Sequence, residues 1–202
     1  MSPSAHSDSL NFSQDIKVSY KDPDALKMIS QKLYHYFSSV PEEQEIVIVC
    51  IGTDRSTGDA LGPLVGTYLR KIKQPGVHIY GTLDEPVHAV NLAEKINLIE
   101  QNHRHAFIVA IDACLGQLSS VGNIQVGSGP IKPGAGVHKN LAQIGDIHIM
   151  GIVNVGGFME YFVLQNTRLS LVMEMSEMIA NSVYVSLMNS RLLNPVPYLK
   201  LE

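Results

Sequence analysis

Continuous apolar runs alternate along this chain with stretches whose apolar residues recur every three or four positions. Runs such as "IVIVCI" (46–51) and "AFIVAID" (106–112) are typical of strands buried on both faces. Periodic stretches such as "ALGPLVGTYLRKI" (60–72) predict helices between them. The pattern predicts strands at 46–51, 77–82, 106–112, 122–129 and 145–155, and helices at 21–37, 60–72, 88–102 and 167–193.

The order of these elements predicts an α/β fold. Strands alternating with helices favour a three-layer arrangement, a mostly parallel sheet with helices on both faces. The polar, Ser-rich residues 1–20 are expected to form a flexible N-terminal arm, and residues 21–202 a single domain. The apolar stripe of the last helix, with Val172, Met175 and Ile179, fits either core packing, which we favour, or a homo-oligomer interface.

Composition narrows the class of protein. The net charge of -4 gives no reason to expect nucleic-acid binding. Cys50 and Cys114 lie in apolar sequence and do not form a disulfide framework, which suits a reducing cytoplasm. No stretch approaches the roughly 18 apolar residues of a membrane span, and the start lacks a secretory pattern. We therefore expect a cytoplasmic protein with no membrane association and no cofactor.

Carboxylates follow the ends of three predicted strands. Asp54 and Asp59 come after 46–51, Asp84 comes after 77–82, and Asp112 ends 106–112. In open α/β sheets, sites form outside the carboxyl ends of the strands, where the strand order reverses. If the strands at 46–51 and 106–112 are neighbours, Asp59 and Asp112 converge there.

A converging pair of carboxylates has a definite chemistry. Mutual repulsion raises one pKa, so the pair shares a proton near neutral pH and activates water against an amide carbonyl. Asp59 opens a predicted helix, whose N-terminus favours the ionised form, so we expect Asp59 to be the base and Asp112 to hold the proton. Alternatively, the same oxygens with His138 or His88 hold a divalent metal ion.

Simpler interpretations of the same residues stay open. Asp59 fits a helix N-cap, Asp54 an Asx-turn, Asp84 a turn before Pro86, and His138 a single loop hydrogen bond. Other chemistries fit less well: the loop after 46–51 lacks the Gly-Lys-Ser/Thr ending of a phosphate loop. A buried, reduced thiol at position 114 is favoured over a nucleophile.

Several longer motifs resemble a known family. "STGDALGPLVG", "GTLDEPVHAVNL", "AIDACLG", "KPGAGV" and "GIVNVGGFMEYFVLQNTRL" resemble the YyaC-type sporulation proteins of spore-forming Firmicutes over residues 45–190. "GDALGP", "IDA" and "KPGAGV" also resemble the spore germination protease, which degrades small acid-soluble spore proteins. That resemblance implies a phosphorylase/hydrolase-like fold, related to the hydrogenase maturation proteases. It also implies catalytic carboxylates at Asp59 and Asp112.

The resemblance implies a sporulation-associated, peptidase-like hydrolase in the cytoplasm or the forespore. Its substrate would be a protein or peptide, with a spore protein as the candidate. The residues expected to shape the substrate pocket are Gly52, Asp54, Gly58, Asp84, Gly134, Gly136 and His138. A non-catalytic sporulation protein that binds a peptide or partner in this pocket is the alternative.

The resemblance also keeps a metal-dependent alternative open. The germination protease has "PGAGVGN" where this chain has "PGAGVHKN", so His138 is new at its place. Hydrogenase maturation proteases bind their metal with two such carboxylates and a later histidine. Asp59, Asp112 and His138 would supply that set here.

Overall fold

The computed structural model describes residues 14–71, 74–133 and 142–190. The strands are β1 (Ile16–Ser19), β2 (Ile46–Cys50), β3 (Val77–Tyr80), β4 (Phe107–Gly116), β5 (Asn123–Ser128) and β6 (Ile147–Val155). The helices are α1 (Ala25–Ser38), α2 (Leu61–Leu69), α3 (Leu92–Asn102), α4 (Glu160–Gln165) and α5 (Leu169–Ser190), with 3-10 turns at Gly58–Ala60 and Leu118–Ser120.

The strands of the described chain form one six-stranded sheet in the order β1-β5-β6-β4-β2-β3. β3, β2, β4 and β6 are parallel, whereas β5 is antiparallel to β6 and β1 is antiparallel to β5. From β2 the chain passes to β3 on one side, and β4 then pairs with β2 on the other side. The strand order therefore reverses between β2 and β4. These strands are neighbours, which is the condition under which Asp59 and Asp112 were expected to converge.

Side chains of β2 alternate between two layers of helices. Ile46, Ile48 and Cys50 pack in a core with α1, α2 and α5. Val47 and Val49 face the other side, in a cluster that includes residues of α3. Burial on both faces explains why this strand is a continuous apolar run. The predicted three-layer α/β fold is confirmed.

The last helix packs on the core. Val172, Met175 and Ile179 of α5 are buried in the cluster shared with α1 and α2. The buried Ser186 hydroxyl of α5 donates a hydrogen bond to the Ser30 carbonyl of α1, at 2.9 Å. The apolar stripe of α5 therefore belongs to the core, and the homo-oligomer stays a prediction. Of the helices described, none is long and apolar enough to cross a membrane.

The structure differs from the predicted elements in several places. The N-terminal arm is not free up to residue 20, because Ile16 and Val18 alternate inward and β1 pairs with β5. The helix predicted from residue 88 begins at Leu92, because the Asn91 side chain accepts the His88 N–H (2.8 Å) and holds a turn. The short helix α4 was not predicted.

Candidate functional site

Unequal strand lengths place Asp112 at the reversal point of the sheet. The β2–β4 pairing ends with Cys50 opposite Ile111, so Asp112 is the first residue of β4 beyond β2. On its other side β6 continues and pairs Met150 with Asp112. The strand predicted to end at 112 therefore continues to Gly116, because β6 supports it. Asp112 lies at the carboxyl edge where a crevice is expected.

Asp112 is a buried carboxyl group. It is only 5% exposed, and its Oδ1 accepts the Ala113 N–H at 2.8 Å. Burial raises the pKa of Asp112 well above its usual range, and repulsion from Asp59 raises it further, against the opposing effect of the Ala113 hydrogen bond. The site therefore favours the protonated form of Asp112.

Asp59 lies on the 3-10 turn that opens α2, and a close backbone approach fixes this turn. The Thr53 N–H donates to the Asp59 carbonyl oxygen at 3.1 Å. Gly52 has a φ of +144°, and a Cβ on it would lie 1.9 Å from that same oxygen. Only glycine fits there. The loop after β2 can therefore fold back onto the turn and position Asp59.

Asp59 is less buried than Asp112, and its pKa is raised less. Asp59 is half-buried, and burial raises its pKa, while a favourable interaction with His88 lowers it. The two carboxyl groups therefore differ in the order that the sequence predicted, with Asp112 the stronger candidate for the proton. The pKa of Asp59 is raised, and not lowered as its position at the helix start predicted, with burial as the main cause.

The two aspartates line a cavity of about 380 Å³. Its described lining comes from the loop after β2 and the turn that opens α2, the turn before α3, β4, the first part of the β5–β6 connection, and α4. The residues are Ile51, Gly52, Thr53, Arg55, Ser56, Asp59, His88, Ala89, Val90, Asp112, Pro133, Glu160, Tyr161 and Leu164. The buried Ser56 Oγ has no hydrogen-bond partner among the described residues. The wall is mostly apolar, and Thr53, Arg55, Ser56, His88 and Glu160 contribute polar groups to it besides the two aspartates.

The other predicted pocket residues are spread around this cavity. Gly52 lines it, whereas Asp54, two residues later in the same loop, is exposed. Gly58 packs against α4, where a Cβ would lie 2.9 Å from Leu164. Asp84 is exposed and forms an ion pair with Arg70, at the end of α2. Asp54, Gly58 and Asp84 are thus not among the described lining residues.

Gly134, Gly136 and His138 lie outside the described residues, so their place in the pocket stays a prediction. Pro133, the last described residue before them, lines the cavity. The metal set of Asp59, Asp112 and His138 is likewise undecided. In the described part of the chain, Asp59, Asp112 and His88 do not bring three donor atoms within 4.8 Å of one another.

Some lining residues were not found from the sequence. Glu160, Tyr161 and Leu164 come from α4, which follows β6. Arg55 and Ser56 were not singled out, although they lie in the loop from Gly52 to Gly58 that was expected to shape the pocket. The available signal was "GGFMEYF", a run of large apolar residues without the burial pattern of a helix. Cys114 was correctly left aside, because burial raises its pKa to about 11, which favours the thiol.

Comparison with known proteins identifies the family. A profile described as "Protein of unknown function (DUF1256)" matches residues 17–182. The "Uncharacterized protein YyaC" of Bacillus subtilis (strain 168) is 55% identical over 166 residues, which cover 82% of this chain and 80% of that protein. Both matches confirm the resemblance read from the motifs.

Among solved structures, the NiFe hydrogenase maturation protease HycI from Thermococcus kodakarensis KOD1 aligns with a TM-score of 0.45 and 19% identity. The alignment covers 74% of this chain and 98% of that chain. The profile match and the identity to YyaC lead to one conclusion: the chain belongs to the family described as protein of unknown function DUF1256.

Proposed function

We propose that this protein is a sporulation-associated, peptidase-like hydrolase that uses Asp59 and Asp112 to activate water. The observation that supports it is a pair of carboxyl groups, one buried and one half-buried, in the wall of a single cavity. Such a pair, with unequal environments, divides the roles of acid and base between its members.

The proposed reaction consumes one water molecule and returns both aspartates to their starting protonation states. The ionised Asp59 accepts a proton from water while the water oxygen attacks the peptide carbonyl carbon. Asp112 donates its proton to the carbonyl oxygen, and we place that proton on Oδ2, because Oδ1 accepts the Ala113 N–H. Collapse of the tetrahedral intermediate breaks the C–N bond. The proton on Asp59 passes to the leaving amine, and one hydroxyl proton of the intermediate returns to Asp112 as the carboxylic acid forms.

The cavity fits a short stretch of extended chain better than a folded protein. Its volume of about 380 Å³ accommodates a few residues, and Val90, Tyr161 and Leu164 supply apolar contact. Arg55 and Ser56 supply hydrogen-bond donors to the wall of the same cavity. We therefore propose an unfolded or flexible protein segment as the substrate, and a spore protein in the forespore as the candidate that the resemblance suggests.

Hydrolysis of dye-quenched casein, an unfolded protein, tests this proposal. Asp59→Asn and Asp112→Asn should each lower kcat/KM at least about 100-fold, the usual effect of removing a general acid or base. The exposed carboxylate Glu100 of α3 provides the control, and Glu100→Gln should match the wild type. Full activity in either cavity variant would contradict the proposal.

A second candidate function is peptide or partner binding without hydrolysis. Large apolar side chains are exposed on and beside α4, next to the cavity: Phe158, Met159, Tyr161 and Phe162. An exposed apolar patch of this kind marks a binding surface. Under this alternative the two Asn variants keep their affinity for the bound segment, and the wild type releases no cleavage product.

A further inference from the structure

A second cluster of polar side chains lies at the opposite edge of the sheet. Glu45 directly precedes β2, His78 is the second residue of β3, and His103 is the C-cap residue of α3. The β2–β3 register pairs Val47 with His78, which brings the His78 backbone beside the start of β2. Along β2, this cluster is about 17 Å from the cavity edge, at roughly 3.3 Å per residue.

The donor atoms of the cluster converge. Glu45 Oε1 is 2.9 Å from His78 Nε2, and Glu45 Oε2 is 2.9 Å from His103 Nδ1. These donor atoms all lie within 4.8 Å of one another, and the two imidazole rings are 4.0 Å apart. In a tetrahedral zinc site with bonds near 2.0–2.1 Å, neighbouring ligand atoms are about 3.3 Å apart. The distances among the donor atoms of Glu45, His78 and His103 are therefore close to those that a bound metal ion requires.

Tyr80 orients one of the histidines. Its hydroxyl oxygen is 2.9 Å from His103 Nε2, on the far side of the ring from Glu45. When Nε2–H donates to Tyr80, the Nδ1 lone pair points at the carboxylate and is free to bind a cation. A hydrogen bond from the other ring nitrogen to a neighbouring oxygen is the usual support of a metal-binding histidine.

The cluster is also accessible. The side chain of His103 is 10% exposed, whereas His78 and Glu45 are 36% and 40% exposed. An ion entering from solvent reaches all three residues and keeps an open position for water. Two imidazole nitrogens and one carboxylate oxygen suit zinc better than magnesium or calcium, which prefer oxygen ligands alone.

We propose that Glu45, His78 and His103 bind one divalent transition-metal ion, with zinc as the preferred ion. The site joins the start of β2, the edge strand β3 and the end of α3. The ion stabilises the fold, because it ties a four-residue edge strand, which has one neighbour among the described strands, to the start of β2 and the end of α3. It is separate from the metal alternative at the cavity, and neither depends on the other.

Zinc titration of the metal-free full-length protein, followed by competition with a chromophoric chelator, tests the proposal. The wild type should bind one equivalent at this site and gain several degrees in Tm with excess zinc. His78→Gln, His103→Gln and Glu45→Gln should each weaken zinc binding at least 10-fold. Matched controls are His35→Gln on α1 and Glu43→Gln, both exposed, which should bind zinc like the wild type.

Two further measurements keep the result decisive. Asp112→Asn should retain this zinc equivalent, whereas a loss would place the ion at the cavity and overturn the proposal. X-ray absorption at the zinc edge of the wild-type protein should show two imidazole ligands and no sulfur ligand, even if a histidine variant fails to fold. Absence of binding in the wild type, or unchanged binding in both histidine variants, would also overturn it.

Discussion

Asp59 and Asp112 face the same cavity from the turn that follows β2 and from the first residue of β4 beyond β2. Repulsion between their carboxylates adds to burial in raising the pKa of Asp112. The pair does not favour stability, because an ionised Asp112 would be a buried charge beside the negative charge of Asp59. This relationship makes the pair measurable through stability as well as through activity.

The first prediction concerns stability. Asp112→Asn should raise the free energy of unfolding at neutral pH by about 1–3 kcal/mol, the usual cost of a poorly satisfied buried polar group. Asparagine keeps an oxygen for the Ala113 N–H and removes the repulsion with Asp59. Urea unfolding at pH 7 measures the difference, and Glu100→Gln, on the surface of α3, is the control.

The pH dependence of that difference follows from the direction of the pKa shift. The folded-state pKa of Asp112 is raised, so the folded protein holds a proton that the unfolded chain releases. The stabilising effect of that proton is fully present below about pH 4 and is lost as the pH rises through the folded pKa. The advantage of Asp112→Asn should therefore grow from acidic to neutral pH. A difference that shrinks with rising pH would contradict the assignment.

The second prediction concerns activity. Hydrolysis requires ionised Asp59 and protonated Asp112, so kcat/KM should follow a bell-shaped pH profile. The acid limb should lie above the ordinary aspartate value of 3.8, because burial raises the pKa of Asp59. The alkaline limb reports loss of the Asp112 proton, and the two limbs belong to the coupled pair. Casein hydrolysis measured from pH 4 to 9 checks this, and a rate that rises without a maximum would contradict it.

The central part of the fold could be predicted because its strands are buried on both faces. The continuous apolar runs at 46–51 and 106–112 are typical of buried strands. Because these strands pair, Asp59 and Asp112 lie at the same carboxyl edge of the sheet. The end of the strand at 112 could not be predicted, since it depends on the length of β6. The same holds for β1, a four-residue strand that exists because β5 offers a free edge.

The walls of the cavity were harder to predict than its carboxylates. Tyr161 and Glu160 reach the cavity from α4. The apolar periodicity of a sequence predicts single helices and strands, and it does not show that α4 packs beside the loop after β2. Asp84 follows a strand as predicted, but it forms an ion pair with Arg70. That pair depends on where the end of α2 lies in the fold, which the sequence pattern does not show. The cluster of Glu45, His78 and His103 was missed for a similar reason, because its members converge only through strand register.

The third prediction separates binding from stability at Ser56. Its buried hydroxyl lines the cavity and has no partner among the described residues, so Ser56→Ala should change the free energy of unfolding by less than about 0.5 kcal/mol. If the hydroxyl binds substrate, kcat/KM should fall about 2- to 10-fold, the value of one hydrogen bond.

The control for Ser56 is a buried serine with a partner. The Ser186 hydroxyl oxygen lies 2.9 and 2.6 Å from the Ser30 and Ser182 carbonyl oxygens, so its one proton always has an acceptor. Ser186→Ala should therefore cost about 1 kcal/mol of stability and leave casein hydrolysis by the folded protein unchanged. Equal losses of stability in the two variants would show that Ser56 is satisfied within the fold, and would remove it from the substrate site.

The fourth prediction tests whether the loop after β2 positions Asp59. Gly52→Ala should destabilise the protein by more than about 3 kcal/mol and abolish casein hydrolysis, because the new Cβ would lie 1.9 Å from the Asp59 carbonyl oxygen. Gly76 provides a matched control, since its φ is +73° and a Cβ there meets nothing within 4 Å.

Gly76→Ala should therefore cost only about 1 kcal/mol, the strain of a left-handed residue, with hydrolysis unchanged. Urea unfolding and the casein assay, run on both variants, separate the two causes. If Gly52→Ala costs no more than Gly76→Ala, backbone strain alone explains both losses. The close approach of Gly52 to the Asp59 carbonyl would then not be what fixes the catalytic turn.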